Sequence, residues 1–131
     1  MSAGIRLRRV PGRYGVSRLA SDAPIPDWLS GAGFTALIRA DDELTVVCQM
    51  DRIPEGIEAD APWACLRSMG PFDFHTTGIV KSLVTPLSDK GIGVFVLCTF
   101  DGEHILVADR DMNAAVAALT EAGHEFEVDI R

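Results

Sequence analysis

Apolar and polar positions along this 131-residue chain change period several times. Residues 4–10 alternate, with Ile5, Leu7 and Val10 against Arg6, Arg8 and Arg9, as a half-buried strand does. Pro11-Gly12 then predicts a turn. Residues 24–29 hold two prolines and admit a short helical turn at most, because proline fits only at a helix start. Two apolar, β-branched runs at 34–39 and 43–49, joined by Ala40-Asp41-Asp42, predict a hairpin. Residues 51–62 are polar, contain Pro and Gly, and read as an internal linker. A strand at 63–69 follows. Residues 76–90 predict a helix, since Ile79, Leu83, Val84 and Leu87 fall on one face. Pro86 is expected to kink or shorten it, and Gly91 to cap it. Strands at 92–99 and 103–108 flank Asp101-Gly102, a hairpin signal. A second helix at 112–122 is expected to start on Asp111 as N-cap and stop at Gly123. Residues 125–130 alternate acidic and apolar, an edge-like strand.

Length and composition fit one small domain, or two very small ones sharing a core. An apolar content of 47% and a charged content of 24% are ordinary for a globular protein. No apolar run approaches the ~20 residues of a membrane span. Cys48, Cys65 and Cys98 are odd in number and spaced for neither a disulfide framework nor a zinc site. Each sits among apolar neighbours, so all three are expected to be reduced core residues in a cytoplasmic protein. Residues 1–20 carry five arginines and no acid, while the remainder holds 7 basic against 19 acidic side chains. Such a start also suits a transit peptide, but the alternation favours a strand. A pI near 4.8 argues against nucleic-acid binding, which needs a positive face. The arginines are expected to form a solvated sheet face or to pair with acids elsewhere.

A repeat emerges when the chain is shifted by 60 positions. Pro11 falls on Pro71, Pro26 on Pro86, Gly31 on Gly91, Gly33 on Gly93, Asp41 on Asp101 and Asp51 on Asp111. These are mostly turn formers, which punctuate a supersecondary unit. The second copy reads βαββαβ and the first reads as a shortened version. The expectation is an α+β fold of two tandem ferredoxin-like units with antiparallel sheets, at residues 1–62 and 63–131.

Several residues carry a family resemblance: Trp63, Gly70-Pro71-Phe72-Asp73-Phe74, Thr77-Gly78-Ile79, Pro86-Leu87, Gly91-Ile92, Thr99-Phe100-Asp101 and Gly123-His124. With Asp41-Asp42-Glu43-Leu44 in the first half, they resemble the ACT domain, a ligand-sensing βαββαβ module. More narrowly, the chain is similar to small bacterial tandem-ACT proteins related to the regulatory end of aspartate kinase and to the animal cytosolic arginine sensor. The resemblance implies a non-enzymatic regulatory protein that senses a small molecule, most simply an amino acid. His75 and Thr76 stand where the arginine sensor carries two acids, and Gly102-Glu103-His104 where a Thr-Asp-aromatic triplet is usual. An amino acid bound here is therefore expected not to be selected for positive charge.

The residues themselves point to the same place. A helix starting near Thr76 offers free N–H groups and a partial positive charge to a carboxylate. Gly78 lets a ligand approach the backbone, Thr77 adds a hydroxyl, and Ile79 an apolar wall. Asp73, Asp101 or Glu103 would accept from an ammonium group. Thr99 and Phe100 are expected to face this helix start across a cleft shared with the first unit. The candidate ligand-binding set is Asp73, His75, Thr76, Thr77, Gly78, Ile79, Thr99, Phe100, Asp101 and Glu103. Plainer roles stand beside it: His75 or Thr76 as an N-cap, Asp101-Gly102 as a turn, Phe74 and Phe100 as core.

Chemistry finds less support. No G-x-S-x-G, H-E-x-x-H, phosphate-loop or dinucleotide-binding pattern occurs. His75, His104 and His124 lack ligand spacing, so no metal and no cofactor is expected. A Cys98–His104 pair across the hairpin is the sole nucleophile arrangement in view. The partner expected is a small molecule, with neither nucleic acid nor membrane, and a homodimer is compatible with the sequence. The alternative reading is a protein–protein interaction module with no metabolite ligand.

Overall fold

The alternation of residues 4–10 continues past Pro11-Gly12. In the computed structural model, which describes residues 4–70, 72, 73 and 75–127, strand β1 runs from Arg6 to Leu19. The turn expected at Pro11-Gly12 does not form: both residues lie within the strand, where Gly12 takes φ +103°. The other strands are β2 (Ala36–Arg39), β3 (Leu44–Gln49), β4 (Glu58–Ser68), β5 (Val94–Cys98), β6 (Glu103–Ala108) and β7 (Glu125–Phe126). Helices α1 (Ile79–Asp89) and α2 (Met112–Glu121) complete the set.

Two compact units result, residues 11–64 and residues 1–10 with 65–131. The expected division at 62/63 placed the first ten residues with the first unit, whereas they group with the second. Their apolar face explains this. Ile5 and Leu7 are buried, and Arg6 and Leu7 pair in parallel with Glu125 and Phe126 of β7.

In the unit of residues 11–64, β3 lies between β2 and β1, antiparallel to both. Leu44, Val46, Val47 and Cys48 are fully buried. Tyr14, also buried, donates its hydroxyl to Pro11 O and accepts the Phe34 N–H, both at 3.0 Å. Its ring meets Phe34 edge to face. A 3-10 turn at Asp27–Leu29 matches the expected helical turn. Residues 58–62, expected in a linker, are the exposed start of β4, so their polarity reflects water on both faces rather than lack of structure.

The second unit carries βαββαβ in the order β4-α1-β5-β6-α2-β7, a ferredoxin-like arrangement. Leu66, Ile105 and Val107 from the sheet and Leu83, Leu87, Ala115 and Leu119 from the helices are buried. Helix α1 starts at Ile79, three residues later than expected, because Gly78 has φ +84° and cannot be helical. Both helices end in a Schellman motif. Ile92 and Gly91 donate to Leu87 O and Ser88 O, and His124 and Gly123 to Leu119 O and Thr120 O. Asp111 holds the N-cap position of α2 without a side-chain capping bond, after a 3-10 turn at Asp109–Asp111. The last expected strand is seen at Glu125–Phe126, and residues 128–130 lie outside the described residues.

Pro86 lies inside α1 and has no N–H to donate to Ser82 O. His124 takes its place. Its Nε2 is 2.9 Å from Ser82 O, while its Nδ1 accepts the Ile5 N–H at 3.0 Å. Because Ile5 N is a donor, Nδ1 is the bare nitrogen and Nε2 carries the proton. One neutral imidazole thus joins β1, α1 and the end of α2.

His124→Ala leaves a buried N–H and a part-buried carbonyl without partners, a loss of about 3 kcal/mol and a fall in Tm of about 10 °C. Pro86→Ala restores a donor for Ser82 O. It is expected to stabilise the His124→Ala protein by at least ~0.5 kcal/mol more than it stabilises the parent. Strictly additive effects in urea unfolding would contradict the bridge.

Candidate functional site

The loop before α1 is built by Asp73. Its Oδ1 accepts the His75 N–H at 2.7 Å and its carbonyl accepts the Thr76 N–H at 2.9 Å. That turn delivers the chain to Gly78, the true N-cap, whose carbonyl receives the first helical bond from Ser82 N. Neither His75 nor Thr76 therefore caps the helix. The amides of Ile79, Val80 and Lys81 occupy the first turn, where no intrahelical acceptor exists. No acidic side chain stands in that turn to offset the positive helix end.

Across from it stands the β5–β6 hairpin. Cys98 pairs with Glu103, and Thr99 N–H donates to Gly102 O at 2.7 Å. Phe100 and Asp101 form the tip, one position earlier than the expected Asp101-Gly102 turn. Phe100 is 77% exposed, so the core role considered for it is excluded. Phe74 lies outside the described residues.

Glu103 is buried and tied to Ser68 at the end of β4. The Ser68 hydroxyl donates to Glu103 Oε1 at 2.8 Å and accepts the Glu103 N–H at 2.7 Å. Gly102 makes this approach feasible, because a Cβ there would lie 2.7 Å from Ser68 Oγ.

Loop and hairpin enclose a cavity of about 320 Å³, within the range of small-ligand sites. Seven of the ten sequence candidates line it: Asp73, Thr76, Gly78, Ile79, Thr99, Phe100 and Glu103. Thr77 instead faces a neighbouring cavity of about 480 Å³ with Ile5, Met69 and Ser82. Asp101 faces a third, with Arg8 and Arg67. His75 is exposed and lines none of these three. Phe72, Val80, Lys81 and Cys98 also line the main cavity. Val80 and Lys81 follow once the helix start moves to Ile79, Phe72 comes from the loop itself and Cys98 from the end of β5.

Cys98 is exposed, contrary to the expected core role, because it ends the strand next to the hairpin loop. Cys48 and Cys65 are buried as expected. The proposed Cys98–His104 dyad fails on register. His104 pairs with Leu97 and Cys98 with Glu103, so the two side chains leave opposite faces of the hairpin. Partial burial and the nearby Glu103 carboxylate also raise the Cys98 thiol above its ordinary value. Among the described residues, no group of three or more His, Cys, Asp or Glu is arranged to hold a metal ion. No described helix is long and apolar enough to cross a membrane.

A βαββαβ unit with this order of strands and helices is the arrangement of an ACT-type module. The comparisons agree. The ACT-domain family profile matches residues 58–121, and a profile for an N-terminal domain matches residues 12–56. The crystal structure of protein Atu0741 from Agrobacterium tumefaciens superposes with a TM-score of 0.93 at 43% identity, covering 99% of this chain and 97% of that one. The regulatory subunit of aspartate kinase from Thermus flavus superposes at 0.60 with 11% identity, covering 92% and 97%. That likeness shows the fold alone. The human putative protein CASTOR3P is 39% identical over 61 residues, 41% of this chain and 37% of that protein. The chain contains an ACT domain over residues 58–121.

His104, on the opposite face of β6 from Glu103, is pushed down from its ordinary 6.5 to about 4 by burial and by the charges of Arg67 and Arg8. A folded value below the unfolded one means that stability falls as pH drops from about 6.5 to about 4. His104→Gln removes that dependence. Parent stability relative to His104→Gln is expected to drop by up to ~3 kcal/mol between pH 7 and pH 4. A pH-independent difference in urea unfolding would contradict a neutral, buried His104.

Proposed function

We propose that this protein is a non-enzymatic regulatory sensor that binds a small amino acid between the α1 start and the β5–β6 hairpin. The observation carrying this reading is the pairing of opposite polarities in one small cavity. The first-turn amides of Ile79, Val80 and Lys81 open on the side where Asp73 and Glu103 supply carboxylates. A zwitterion has a partner for each end. Thr76 and Thr99 add hydroxyls, and Phe72, Ile79 and Phe100 offer apolar walls to a neutral side chain. The ACT domain supports a sensing role, and the aspartate kinase chain of the same fold is by name a regulatory subunit. A cytosolic setting suits the buried thiols Cys48 and Cys65.

A guanidinium would find no additional acids at His75 and Thr76, and leaving such a charge desolvated and unpaired is costly. Arginine is therefore expected to bind no better than leucine or threonine. A thermal-shift screen over the twenty amino acids identifies the ligand, with about 2.7 kcal/mol of stabilisation at 100 times its Kd. Calorimetry then compares arginine, lysine, leucine and threonine. A tenfold preference for arginine would overturn the specificity. A flat screen would favour an interaction module.

Gly78→Ala places a methyl group where the surroundings are open, at a backbone angle that L-residues disfavour. We expect a folded protein, destabilised by about 1–2 kcal/mol, with at least tenfold weaker amino-acid binding. Unchanged affinity would argue against close approach at this position.

A further inference from the structure

The arginines of the N-terminal segment have no role in the site above. Arg6 pairs loosely with Glu127 at 3.6 Å. Arg8 differs. Strand β1 neighbours β4, and the Met69 N–H donates to Arg6 O at 2.8 Å. With residue 69 opposite residue 6 at the end of one strand and the start of the other, the pairing is antiparallel. Arg67 therefore lies across from Arg8. Like charges directly opposite on neighbouring strands destabilise a sheet. Both are half-buried, and both line one cavity of about 220 Å³ with Ser68, Met69, Gly70 and Asp101. Among the described residues, no carboxylate lies within ion-pair distance of either guanidinium. Asp101 at the rim offsets one of the two positive charges, leaving a net cationic recess in a chain of net charge −7.

We infer that this recess is a second ligand site, in which Arg8 and Arg67 bind the phosphate group of a small molecule. Two planar guanidinium forks on facing strands match the several oxygens of a tetrahedral oxyanion, which a single carboxylate would fill incompletely. A bound dianion turns the repulsion between the two strands into attraction to a shared partner. The field of the pair is felt nearby. Both arginines act on His104, whose ring is held neutral, and both lower the Cys65 thiol against the burial that pushes it up to about 12. The volume suits a compact head group. The recess also touches the amino-acid cavity through one hydrogen-bonded pair, since Ser68 lines the first and its partner Glu103 the second.

Orthophosphate, glycerol phosphate, acetate and chloride are titrated into the full chain at pH 7 and constant ionic strength, followed by thermal unfolding and by the NMR titration of His104. Saturable stabilisation by orthophosphate is expected, with His104 moving upward from about 4 as the arginine charge is neutralised. Saturation by glycerol phosphate alone would identify a phosphomonoester as the source of the same group. Arg67→Gln and Arg8→Gln, which relieve like-charge repulsion and should fold, are each expected to weaken binding at least tenfold. Asp73→Ala should leave it unchanged, which separates this site from the amino-acid cavity. Equal stabilisation by acetate or chloride, or phosphate binding that survives both arginine substitutions, would overturn the proposal.

Discussion

The imidazole of His124 is the constraint on which the second unit depends. Proline inside α1 deletes one backbone donor, and the carbonyl it would have paired must be satisfied or the helix end destabilised. His124 supplies that donor from the Schellman end of α2 and uses its other nitrogen to hold Ile5 N–H. Three segments far apart in sequence are fixed by one ring in one tautomer. Because the bridged carbonyl belongs to Ser82, whose own N–H closes the first turn of α1 on Gly78, the start of that helix is fixed along with it.

The cavity follows from that placement. Gly78 turns the chain sharply enough to present the first-turn amides, and Asp73 shapes the loop that precedes it. The opposing wall is held by the Ser68–Glu103 pair, which anchors the hairpin to the central strand. Buried polar pairs of this kind fix geometry as much as they add stability.

Local chemistry made much of this legible. Gly91 and Gly123 stop their helices, the Leu83–Leu87 stripe faces the core, and the strand ends around 98 and 103 were readable from alternation and a turn signal. Three features depend on tertiary context that a sequence pattern does not carry. Pro11-Gly12 is turn chemistry, yet neighbouring strands on both sides keep β1 extended. The polar start of β4 lacks a buried face and so has no periodic signature. A shift of one residue at the hairpin tip put Phe100 in the turn and exposed it, while strand alternation sets Cys98 and His104 on opposite faces in either register. Of the ten candidates, Asp73, Thr76, Gly78, Ile79, Thr99, Phe100 and Glu103 line one cavity, whereas His75 and Thr77 of the same loop do not. The switch of Asp101 to another recess was not readable, since it turns on that same single-residue register.

The central claim is that the α1 start and the β5–β6 hairpin form one preformed binding cavity. An amide NMR titration with the best amino acid from a screen tests it most directly. The account predicts saturable shifts concentrated at residues 76–81 and 98–103, with the amides of Ile79, Val80 and Lys81 among the largest. Shifts confined to residues 11–64, or absent from both walls of the cavity while the ligand binds, would contradict it.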